Sequence, residues 1–134
     1  STPIKSSAAS DVYKRQLIAK VGLSEEMKMR EISTGMMAKL KVIATLSRKA
    51  MLYMLDEPLN GIDLKAREEI IDVILTTVSE KNAVIISTHL IEEIESFIDH
   101  AIFMKDGSVI YECDVEEERM RSGRSAADLY RELM

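Results

Sequence analysis

A single cysteine, Cys113, leaves this chain unable to close an internal disulfide and fits a reducing compartment. Cys113 and two scattered histidines do not form a set with zinc-ligand spacing. No apolar run approaches the ~20 residues that a membrane-spanning helix needs, and no signal-peptide pattern is present. A membrane role would therefore come through a partner. The net charge of −5, with no basic stripe, argues against a nucleic-acid partner. Glycine is scarce too: there are five, and none is followed by lysine, so these residues hold no G-x-x-x-x-G-K-[ST] phosphate loop. What remains is the composition of an ordinary globular domain, with 134 residues, 46% hydrophobic and 31% charged.

The organising stretch is Met51 to Asp63, MLYMLDEPLNGID. Met51-Leu52-Tyr53-Met54-Leu55 is unbroken apolar sequence of strand length, which predicts a strand buried on both faces of a parallel sheet. Asp56 and Glu57 follow at its carboxyl end, and Pro58, lacking an N–H, stops the ladder. Leu59 to Ile62 turn the chain into a helix with Asp63 as N-cap. In open α/β sheets ligands sit beyond the carboxyl ends of strands. Two carboxylates there suit a hydrated Mg²⁺ held by the first and a water oriented by the second for attack on a phosphate. On its own the triplet is equally a polar strand exit.

Residues 1–16 are small, polar and aperiodic at first, which predicts a disordered tail. Asp11-Val12-Tyr13-Lys14-Arg15-Gln16 also resembles a translated sequencing adaptor, so native sequence is expected to start near Leu17. Leu17 to Val21 reads as a helix end closed by Gly22, and Leu23 to Glu31 as a charged connector. Ser33 is placed to cap a helix running through Leu40, Ile43 and Leu46. Its free first-turn N–H groups can hold a phosphate, with Gly35 allowing close approach; plain capping explains Ser33 as well. Leu64 to Ser79 is an amphipathic helix with Ile70, Ile71, Ile74, Leu75 and Val78 inward. Ala83 to Thr88 is a second buried strand ending at His89, and Leu90 to Ile98 another helix. His89 thus stands at a strand's carboxyl end, as Asp56 does, although a lone histidine commonly caps or packs. Lys105-Asp106-Gly107-Ser108 between β-rich runs predicts a hairpin. The end of the chain reads as helical with a break at Ser122-Gly123, and Ser125 with Asp128 as a capping box.

In this order the segments resemble the C-terminal half of an ATP-binding cassette (ABC) transporter ATPase subunit, over about Leu17 to Met134. Ile32-Ser33-Thr34-Gly35-Met36 resembles the signature motif, Leu52 to Glu57 Walker B, Asn60 to Asp63 the D-loop, and Ser87-Thr88-His89 the switch-histidine loop. Thr34 and Met36 depart from the usual Leu-Ser-Gly-Gly-Gln. The resemblance implies an α/β fold: an incomplete three-layer parallel sheet of the P-loop NTPase kind with flanking helices, then a hairpin and a terminal helix.

It also implies roles. Asp56 would order Mg²⁺, Glu57 would be the general base, and His89 would contact the γ-phosphate of ATP. Ser33, Thr34, Gly35 and Met36 would face ATP seated on the opposite subunit, with Asp63 at that interface. The implied partners are a second ATPase subunit, head to tail, and a transmembrane permease subunit, at the cytoplasmic face of the cell membrane. The Gly-Met ending resembles export-type cassettes. The phosphate loop is missing, and the only glutamine, Gln16, lies in the adaptor-like stretch, so no Q-loop remains. The implied expectation is an ATPase whose 134-residue piece does not turn over alone. A soluble cassette ATPase of translation or DNA repair, and a non-catalytic partner subunit, stay open.

Overall fold

A computed structural model describes residues 4–24, 26, 27, 30 and 32–134, with residues 4–10 described through their backbone alone. The expected connector from Leu23 to Glu31 falls partly outside the described residues. The chain divides into two units, Ser1–Thr88 and His89–Met134.

The first unit opens with helix α1, Ile4–Lys20. The helix thus runs through the stretch expected as a disordered tail, and it ends where Leu17 to Val21 read as a helix end. Ala8 and Ala9 are the strongest helix formers, and tertiary contacts add to them. Tyr13 shares a 3.1 Å hydrogen bond with Thr77 Oγ1, Lys20 Nζ donates to Thr76 Oγ1 at 2.8 Å, and Leu17 and Val21 are buried. The helix closes as the glycine predicted. Gly22 takes φ +70°, its N–H donates to Ala19 O, and the Leu23 N–H donates to Ile18 O, which is a Schellman closure.

Helix α2, Thr34–Leu46, is capped by Ser33 and buries Val42, Ile43 and Leu46. Strand β1, Leu52–Asp56, helix α3, Leu64–Thr77, and strand β2, Ala83–Ser87, form a βαβ unit whose two strands pair in parallel. Helices α2 and α3 pack face to face, with Lys39 and Glu69 forming an ion pair and Gly35 lying against Ala66.

Two burial expectations change here. The buried face of α3 is Ala66, Ile70, Val73, Ile74 and Thr77, whereas Leu75 and Val78 are exposed. Both sets fit a 3.6-residue period, and docking against α2 selects between them. The strands are not buried on both faces. Tyr53 and Leu55 point inward, while Leu52, Met54, Ala83 and Ile85 are exposed, because alternate side chains face opposite sides and this unit's helices cover only one. Tyr53 brings a polar group inside, and its hydroxyl donates to Arg48 O at 2.6 Å.

The second unit begins with helix α4, Ile91–Ile94, shorter than the predicted Leu90 to Ile98. The chain leaves it through a tighter turn, with the Phe97 N–H bonded to Ile94 O at 3.1 Å. Strands β3, His100–Lys105, and β4, Ser108–Asp114, make the expected hairpin. Asp106 and Gly107 have φ +49° and +77°, the left-handed pair that a two-residue turn between twisted strands requires. Helices α5, Val115–Ser122, and α6, Ala126–Leu133, follow, separated at Gly123. Ser125 and Asp128 form the predicted capping box. Ala101, Phe103, Val115, Ala126 and Leu129 build this unit's core.

Candidate functional site

The carboxyl end of β1 turns sharply. Asp56 is its last residue, and Glu57 sits at φ +44°, a left-handed conformation uncommon for a residue with a side chain. Holding glutamate there costs on the order of 1–3 kcal/mol, a cost that persists where surrounding structure enforces it. The enforcement is visible: the Glu57 N–H donates to Ser87 O at 2.8 Å, and the Asn60 N–H closes a turn onto Glu57 O at 3.2 Å. Pro58, at the second position of that turn, has its φ preset. Leu59 is fully buried beneath the loop. Asp56 is exposed, and its Oδ1 accepts the Ser87 hydroxyl from the neighbouring strand.

Opposite these acids stands the start of α2. The exposed Ser33 accepts the Met36 N–H at 3.2 Å, and its carbonyl accepts the Met37 N–H at 2.9 Å. Ser33, Thr34, Asp56, Glu57, Pro58 and Asn60 line one cavity of about 570 Å³. Four of the sequence-predicted site residues are therefore brought together in this unit. Gly35, Met36 and Asp63 are not on that wall. A Cβ added at Gly35 would stand 3.4 Å from that of Ala66, so its smallness serves helix packing. Asp63 caps α3 by accepting the Ala66 N–H at 2.9 Å.

His89 belongs to the second unit, where it lines a smaller cleft of about 240 Å³ together with Ala127, Tyr130 and Arg131. Arg131 pairs there with Glu92 and, at 3.1 Å, with Asp128.

Sequence reasoning missed Lys41 and gave Ser87, within the switch-histidine stretch, no role of its own. Lys41 is an exposed cation on the wall of the larger cavity. Its signal was the helical spacing Thr34, Ala38, Lys41, Thr45, all on that wall. Ser87 could be found only from the strand register, which sets it beside Asp56. Among the described residues no three His, Cys, Asp or Glu side chains cluster as a metal cage. A hydrated Mg²⁺, which uses one or two carboxylates and keeps its waters, asks for less. The exposed Asp56, with one oxygen engaged and the other open, fits that demand.

No family model matches the chain. Individual proteins do. The lantibiotic transport ATP-binding protein SrtF of Streptococcus pyogenes is 33% identical over 98 residues, covering 72% of this chain and 43% of that protein. The aliphatic sulfonates import ATP-binding protein SsuB 2 of Agrobacterium fabrum is 32% identical over 116 residues, 84% of this chain and 45% of its own length. Among solved structures, the ATP-binding subunit of an ABC transporter superposes with a TM-score of 0.79 at 22% identity, over 94% of this chain and 55% of that one. This chain therefore spans about half the length of the proteins it matches. By sequence and by fold, the chain belongs to the ATP-binding subunits of ABC transporters.

Proposed function

We propose that this chain is the C-terminal part of a subunit that hydrolyses ATP to drive an ABC exporter. The observation that carries the reading is the shared cavity of Ser33, Thr34, Asp56 and Glu57 at the carboxyl end of β1.

Asp56 would hold Mg²⁺ through its open oxygen. The ion, when bound, would supply charge neutralisation on the phosphates. Glu57, turned out of the strand by its left-handed backbone, would accept a proton from the attacking water. His89 would contact the γ-phosphate. Ser33, Thr34, Gly35 and Met36 would meet ATP held by a second subunit, through the first-turn N–H groups and partial positive charge of α2. Asp63 spends one oxygen on its cap and would offer the other to that interface. A transmembrane permease subunit would receive the work, at the cytoplasmic face of the membrane. Export rests on the Gly35-Met36 ending of the signature. These residues contain no phosphate loop, so alone they would not turn over ATP. Residues 1–16 would be adaptor-derived sequence, joined to the first unit through α1 and the Tyr13–Thr77 hydrogen bond.

The test is the Mg²⁺-dependent ATPase rate of the complete encoded subunit beside Glu57→Gln. Loss of a general base costs about 10²–10⁴-fold. A collapse of that size with ATP still bound supports the reading. An unchanged rate overturns it and leaves Asp56-Glu57 as a strand exit.

A further inference from the structure

We infer that Ser87 is a positioning residue for Asp56, an inference that rests on the proposed role of Asp56 as metal ligand. The parallel register sets Ser87 opposite Asp56. Its hydroxyl donates to Asp56 Oδ1, and its carbonyl accepts the Glu57 N–H at 2.8 Å. One residue of β2 thus holds the side chain of the first acid and the backbone of the second.

An ionised carboxylate is an acceptor only, and an exposed one turns freely about its last bond. Engaging Oδ1 disfavours that rotation and biases Oδ2 toward one direction. Direction matters for a dication that keeps most of its waters and takes only one or two carboxylate oxygens from the protein. Hydrogen-bond partners of metal ligands typically control affinity by 10–100-fold. The contribution to folding is small by comparison. Asp56 and Ser87 are both exposed, and water replaces such a bond readily. Cation binding and stability therefore separate, and the separation distinguishes positioning from a merely structural strand-end bond.

The experiment titrates Mn²⁺, a hard dication suited to the same oxygen ligands and readable by electron paramagnetic resonance, into the 134-residue chain. Ser87→Ala, Ser87→Thr and Asp56→Asn are titrated alongside, with a thermal melt of each. The expected result is affinity about tenfold weaker in Ser87→Ala, the low end for an outer partner. Ser87→Thr should restore it, since threonine keeps the hydroxyl and suits a strand, and the alanine variant should melt like the wild type. Wild-type affinity in Ser87→Ala, with binding lost in Asp56→Asn, overturns the positioning role alone. Weakened binding that tracks a lowered melting temperature and is not restored by threonine overturns it as well. No binding by the wild type, or undiminished binding by Asp56→Asn, overturns the metal-ligand reading and this inference with it.

Discussion

Tyr111 donates its hydroxyl hydrogen to Glu118 Oε2 at 2.9 Å, tying the hairpin to the helix that follows it. Glu118 is buried, yet it is surrounded by donors: Arg121, Ser122 at 2.7 Å and Arg124 at 3.0 Å. The Arg121 guanidinium foremost, then the Ser122 and Tyr111 hydroxyls, hold its carboxyl at about 2, against an ordinary 4.5. The folded form prefers the ionised acid more than the unfolded chain does. Its contribution to stability is therefore complete above about pH 4.5 and is lost as pH falls toward about 2. Thermal melts across that window should fall steeply for the wild type. Glu118→Gln should melt lower at neutral pH and flatten the curve. A wild type that is flat over the window would contradict the assignment.

Asp63 offers a cleaner measurement, because its cap is one bond at a known place. Asp63→Ala leaves a first-turn N–H of α3 without its acceptor and should cost about 1 kcal/mol. Asp63→Asn keeps a capping oxygen and should cost much less. Urea unfolding followed by circular dichroism separates them, and equal losses in both variants would show that the cap is not what Asp63 contributes.

Caps and turns were the most legible parts of this sequence, because each is decided by a few adjacent residues. Ser33, Asp63, Ser125 with Asp128, Gly22 and Asp106-Gly107 all act where local chemistry puts them. Burial was less legible. Met51 to Leu55 carries no alternation, so the pattern could not say that Leu52 and Met54 face outward while Tyr53 and Leu55 face in. On α3 two stripes of the same period competed, and only the packing of α2 decides between them. Within the site, Asp56 and Glu57 announced themselves by ending an apolar run. Ser87 could not, since its importance lies in a register between strands thirty-one positions apart.

Leu59 supports the loop that carries both acids. It is wholly shielded from solvent. Leu59→Ala should cost about 2–5 kcal/mol, the range for truncating a buried leucine where a cavity remains. Leu59→Met conserves volume and should cost less than about 1.5 kcal/mol. Denaturant midpoints give both numbers. A loss below about 1 kcal/mol in the alanine variant would mean that the loop collapses freely onto the gap.

Met54 and Ile85 are register partners on the uncovered face of the parallel pair, 69% and 50% exposed. Apolar side chains opposite one another on an exposed face, beside unpaired strand edges, provide a surface for association. The chain should therefore self-associate as its concentration rises, with light scattering reporting the growth. Met54→Lys combined with Ile85→Glu places opposite charges on register partners of the same face. Since neither position contributes to the buried face, stability should hold while scattering falls. Persistent association in the double variant would locate the sticky surface elsewhere. The exposed Ile102, Met104, Val109 and Ile110 of the hairpin would then be next to test.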